Sequence, residues 1–189
     1  MARGVLHLRG RSPSGVIPEH RLTGRRARSA LASIARAWYA LRVQDEIVFR
    51  FLDEDVAARA WLLRDQATQT CEAVLDALPA TGLARHGIYS GSEVYLVLPV
   101  LLTPPREHAT TIVGTGDVGF LTVEQGSGYG VEEGYSEICW FYDLDATPSM
   151  PEGPIAVNVF ARLHDADAFF SLCRRMRLEG AKKLEITRT

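Results

Sequence analysis

The segment from Asp45 to Leu52 constrains the fold more than any other. Ile47, Phe49 and Phe51 alternate with Val48 and Leu52, so a strand here is apolar on both faces. Such a strand must be covered from two sides, which demands a sheet lying inside a layered core. Asp53 then offers a helix cap, with Glu54 and Asp55 suited to the positive end of a helix dipole. Val56, Ala60, Leu63, Ala67, Cys71, Val74 and Leu78 keep helical spacing, and Pro79 and Gly82 end it. The local reading is a strand followed by a helix.

The remaining segments extend this pattern. Val5 to Arg9 alternates as a short strand, and a helix is expected from Thr23 or Gly24 to about Arg42, with Leu31, Ile34, Trp38 and Leu41 on one face. Strands are expected near 83–89 and 93–102, joined through Ser90-Gly91-Ser92 as a hairpin. Further strands are expected near 110–113, 118–123, 136–143, 154–163 and 184–187, with a helix opening at Asp165 whose buried stripe is Phe169, Leu172, Cys173 and Met176. Thr103-Pro104-Pro105-Arg106-Glu107 reads as a linker, which divides the chain into 1–103 and 104–189 or lies within one continuous domain. The order implies an α+β chain, with βαβ units on a largely antiparallel sheet. Residues 48–55 parallel residues 159–166, each a strand running into an acid-capped helix, so two ferredoxin-like halves are one arrangement the sequence allows.

Hydrophobic residues make up 47% of the chain and charged residues 23%, with a net charge of −2, which excludes a disordered tail and a polycation. Val94 to Leu102 is the longest apolar run, and Pro99 divides it. A membrane span needs about 20 apolar residues, so none is expected. Arg3 and Arg9 interrupt the first residues too often for a signal peptide. Cys71, Cys139 and Cys173 are widely spaced and odd in number, which argues against a structural zinc site or a disulfide framework. The expected compartment is the cytoplasm, and no cofactor or metal is expected.

Two motifs carry possible chemistry. Gly114, Gly116 and Gly119 fit a G-x-G-x-x-G pattern, but a nucleotide-binding loop must open a helix, whose first amides meet the phosphates. Phe120-Leu121-Thr122-Val123 favours a strand, so a turn is expected. Gly114-Thr115-Gly116-Asp117 also resembles the anion-hole motif of ribokinase-type sugar kinases, which likewise opens a helix. Asp143-x-Asp145-x-Thr147 follows an apolar strand and is similar to the first motif of haloacid-dehalogenase-type phosphatases. That resemblance implies Asp143 as nucleophile and Asp145 as acid/base, with Mg²⁺ between them. Too little chain follows Thr147 for the rest of such a domain, and aspartates are also common in plain turns. His86, with Arg85 beside it, could face a cleft or be structural. His164 belongs to a helix N-terminus.

Charge is segregated. Residues 1–42 hold nine arginines and one acid, whereas residues 107–161 hold nine acids and no lysine or arginine. Arg9, Arg11, Arg21, Arg25, Arg26 and Arg28 are the candidate contacts to a partner or to nucleic acid. The leading expectation is a non-catalytic binding or assembly module acting through protein–protein contacts, with a protein partner or a second copy of the chain. The alternatives are an RNA- or DNA-binding subunit using those arginines, and a Mg²⁺-dependent phosphoryl-transfer enzyme at Asp143 and Asp145. No membrane contact is expected.

Overall fold

The computed structural model describes residues 45–189. Strand β1 (Glu46–Phe51) turns directly into β2 (Val56–Leu62), and helix α1 (Thr68–Ala77) follows. Next come β3 (Ala80–His86), β4 (Glu93–Val97), the two-residue β5 (Ala109–Thr110), β6 (Asp117–Val123) and β7 (Tyr135–Phe141). A small ribbon of β8 (Ser149–Met150) and β9 (Gly153–Pro154) leads to β10 (Val157–His164), helix α2 (Asp167–Glu179) and β11 (Lys182–Arg188).

The strands run in the order β2-β1-β11-β3-β4-β7-β6-β10, and β10 pairs back onto β2. Every neighbour in this ring is antiparallel. The result is a closed eight-stranded antiparallel barrel, with β5 added at the end of β10. Closure leaves no unpaired edge within the ring. The fold is therefore mainly β. The expectation of βαβ units and ferredoxin-like halves is overturned, because the ring contains no parallel neighbours. The parallel between 48–55 and 159–166 also fails: β10 is followed by a helix, whereas β1 is followed by a hairpin.

The expected helix from Asp53 to Leu78 resolves into that hairpin, β2 and the shorter α1. Residues 56–62 are buried at every second position, with Ala58, Ala60 and Leu62 inside and Ala57, Arg59 and Trp61 outside. Alanine satisfied both the helical and the strand period, and pairing to β1 decided between them. The hairpin needs a left-handed residue, which Asp55 supplies at φ 51°.

The barrel interior is filled by alternate residues: Phe49, Phe51, Leu96, Ile138, Trp140 and Leu184 are large, and Ala60, Ala80 and Ala84 are small. Phe49 and Trp140 meet edge to face across it, with ring centroids 5.4 Å apart. Helix α2 closes the end where β1 finishes, placing Phe169 4.8 Å from Phe51 and 5.8 Å from Trp140 between ring centroids. Helix α1 lies at the opposite end, where Cys71 and Val74 enter the same core. The Thr103–Glu107 segment docks rather than dangles. The Glu107 carboxylate accepts the Gln69 and Thr70 backbone N–H groups at 3.2 and 2.8 Å, at the start of α1. Buried Asn158 donates to the Thr70 hydroxyl and the Pro105 carbonyl and accepts from the Glu107 N–H.

Barrel strands come from both sides of residue 103. The expected strand at Val5–Arg9, the helix from residue 23 to 42 and the arginines Arg9, Arg11, Arg21, Arg25, Arg26 and Arg28 lie outside the described residues. No helix among the described residues is long and apolar enough to cross a membrane.

Candidate functional site

The barrel end capped by α2 gathers a set of mutually bonded polar side chains. His86 comes from the end of β3, Ser92 from the turn before β4, Tyr142, Asp143 and Asp145 from the exit of β7, and Arg174 and Arg177 from α2. Strand period places His86 and Tyr142 toward the barrel end, while helical spacing puts Arg174 and Arg177 on one face.

Arg177 is the hub. Its Nε donates to His86 Nε2 and to the Tyr142 hydroxyl oxygen, each at 3.1 Å. Its terminal nitrogen donates to the Ser92 hydroxyl at 3.2 Å and lies 3.5 Å from an Asp145 carboxylate oxygen. His86 Nδ1 is 2.7 Å from the Gly87 carbonyl, which can only accept, so Nδ1 carries the proton. Nε2 is then the lone-pair nitrogen, and it receives the Tyr142 O–H at 2.7 Å. Burial, reinforced by the Arg177 charge, holds His86 below its ordinary range, so it is neutral here.

Two hollows adjoin at Arg177. The first, about 520 Å³, is lined by Arg85, His86, Ile88, Met176 and Arg177, with no carboxylate. The second, about 440 Å³, is lined by Ser92, Tyr142, Asp143, Asp145, Arg174 and Arg177. Asp143 and Asp145 thus line a cleft, but each faces an arginine: Asp143 is 3.2 Å from Arg174 Nε, and Asp145 meets Arg177. The Ser92 hydroxyl, with Arg177 beyond it, keeps Asp145 below its ordinary range. Arg85, by contrast, makes only a 3.4 Å bond to the Leu83 carbonyl and has no acidic partner among the described residues.

The sequence reading placed Arg85 and His86 beside a possible cleft and named Asp143 and Asp145, and the structure brings all four to this barrel end. It missed Tyr142 and Arg177 as site members, because Tyr142 sits in an apolar strand and Arg177 in a helix-terminal arginine run. The Gly114–Gly119 segment is a turn into β6: the Asp117 N–H bonds the Gly114 carbonyl at 3.1 Å, and no helix follows. His164 ends β10, stacked on Trp61 at 4.1 Å between ring centroids, with Glu46 beside it.

A further hollow, about 600 Å³, lies elsewhere, over the outer face of β6 and β10. Its floor includes Leu121, Val123 and Ile155, and its rim carries Arg106, Glu124 and Glu152. Its polar groups do not converge: those of Asn158 are engaged internally, and Glu152 accepts the Tyr129 N–H at 2.7 Å.

The family profile described as "Protein of unknown function (DUF3830)" matches residues 51–188. No curated protein sequence matches the chain. Among solved structures, the chain is similar to the hypothetical protein AF2241 from Archaeoglobus fulgidus, at 22% identity and a TM-score of 0.52, over 78% of this chain and 96% of that one. It is also similar to McbB in complex with tryptophan, at 12% identity and a TM-score of 0.51, over 76% of this chain and 44% of that one. At these identities both likenesses bear on the fold alone.

Proposed function

The chain belongs to the DUF3830 family, and we propose that it is a non-catalytic binding module whose barrel-end cleft takes up an acidic group carried by a protein partner. The observation that carries this reading is the hollow lined by Arg85, His86 and Arg177 with no carboxylate among its walls. Arg85, bonded only to the Leu83 carbonyl at 3.4 Å, offers a planar fork with no acidic partner among the described residues, the geometry that suits a carboxylate or phosphate. Arg177 is held in place by His86, Tyr142 and Ser92, so little ordering is needed when an anion arrives. Ile88, 87% exposed at the lip, and Met176 in the wall favour an acidic group flanked by apolar side chains.

Phosphoryl transfer at Asp143 and Asp145 has weaker support, since each carboxylate is engaged by an arginine rather than turned toward an open cation position. Three unpaired, buried cysteines suit a reducing compartment, so we assign the protein to the cytoplasm.

The test is fluorescence anisotropy with a labelled peptide that ends in an apolar residue and a free carboxylate, against the same peptide as its amide. The carboxylate form is expected to bind and to weaken with salt, and Arg85→Gln is expected to cost about tenfold, the worth of one charge-assisted hydrogen bond. Equal binding of the amide, or an unchanged Arg85→Gln variant, contradicts the reading.

A further inference from the structure

A second group of chemistry-bearing side chains lies on the outer face of the barrel. In the β4–β7 ladder Glu93 is opposite Phe141, Tyr95 opposite Cys139 and Val97 opposite Glu137. The strand period turns Glu93, Glu137 and Cys139 to one face, away from the interior residues Val94, Ile138 and Trp140. One ligand atom from each of Glu93, Glu137 and Cys139 lies within 4.8 Å of the other two. We infer that Glu93, Glu137 and Cys139 form a binding site for a borderline divalent transition-metal ion of the Zn²⁺ type.

Three observations support the site. First, it is closed off: Glu93 is 5% exposed, Glu137 7% and Cys139 1%. Second, no group among the described residues is hydrogen-bonded to the Glu137 carboxylate, in a residue 7% exposed whose oxygens keep only a small contact with solvent. A carboxylate buried this deeply needs a partner or a cation, or it must stay protonated. Third, the sulfur has space kept for it. A Cβ on Gly119, opposite Cys139 in the β6–β7 ladder, would come 2.9 Å from Cys139 Sγ.

The donor set decides the metal class. A thiolate with two carboxylates suits a borderline ion and is a poor match for Mg²⁺ or Ca²⁺, which take oxygen alone. Ligand atoms within 4.8 Å of one another would close around the ion to bonds of about 2.3 Å to sulfur and about 2.0–2.2 Å to oxygen. Three protein ligands leave one coordination position open, as in catalytic rather than structural sites. On binding, the Cys139 S–H and the protonated carboxyls release their protons to solvent as the metal–sulfur and metal–oxygen bonds form. Burial pushes Glu93 up to about 7, pushes Glu137, which also faces Glu93, up to about 8, and raises the Cys139 thiol well above its ordinary value. A cation among them relieves the cost of holding them ionised. The inference departs from the sequence expectation of no metal, and it does not depend on the barrel-end cleft.

The test uses the full chain, stripped with a chelator and titrated with Co²⁺ and then Zn²⁺. One Co²⁺ per chain is expected, with a near-ultraviolet sulfur-to-cobalt charge-transfer band that Zn²⁺ displaces. Cys139→Ser abolishes the band, Cys71→Ser and Cys173→Ser retain it, and Glu137→Gln weakens Co²⁺ binding by at least about tenfold. Absence of the band in the parent, or its persistence in Cys139→Ser, overturns the inference. Should Cys139→Ser fail to fold, the near-isosteric Glu137→Gln decides: binding as tight as the parent's overturns it.

Discussion

Gly119 and Cys139 face each other across the β6–β7 ladder, and a Cβ on Gly119 would lie 2.9 Å from the Cys139 sulfur and 2.8 Å from Val157 Cγ2. Both neighbours belong to a packed layer outside the barrel, with Leu121, Phe141 and Val159. Neither can retreat without disturbing that layer. Gly119→Ala is therefore expected to destabilise the protein by about 1–3 kcal/mol. Urea denaturation checks this through its midpoint, and an unchanged midpoint contradicts the packing described.

Phe169 carries the closure of one barrel end. It touches Phe49, Phe51 and Trp140, and it is fully buried. Phe169→Ala removes a ring from the centre of the core and leaves a cavity that the surrounding strands cannot close. The expected loss is about 3–5 kcal/mol, read from the same denaturation curves. A loss well under 1 kcal/mol would mean that α2 does not plug the barrel as described.

The His86 environment makes stability depend on pH. Burial and Arg177 lower its proton affinity in the folded chain, while the Gly87 carbonyl and Asp145 act the other way; Tyr142 and Arg85 also face it. The unfolded chain therefore binds the proton more readily. The stability linked to neutral His86 is complete above about 6.5 and is lost as the pH falls through the lower folded value. Unfolding free energy is expected to decline as the pH falls below about 6.5, with a shallower decline in His86→Gln. Identical slopes in the two proteins contradict this assignment.

The strands near 136–143, 154–163 and 184–187 and the helix after Asp165 were legible because alternation and helical spacing were each unambiguous there. Barrel closure was not, since it depends on β10 pairing back to β2 across about a hundred residues, a relation no local pattern encodes. The helix expected from Asp53 to Leu78 took in what is β2, Val56–Leu62, because Ala57, Ala58 and Ala60 are neutral between periods. Asp143 and Asp145 were found through their spacing, but the arginines that face them come from a distant helix. Glu93 and Glu137 were missed for a different reason. Each is a single acid in an apolar strand, and only the covering of the outer face turns it from a solvated charge into a buried one.

The central claim is that the hollow beside Arg85, His86 and Arg177 receives an acidic group. Its most direct test is a two-dimensional nitrogen–proton NMR titration of the full chain with the carboxylate-terminated peptide. The account predicts amide shifts centred on residues 85–91 and 174–181, absent with the amide-terminated peptide. Shifts centred on 103–106 and 150–156, or no shifts at all, would contradict it.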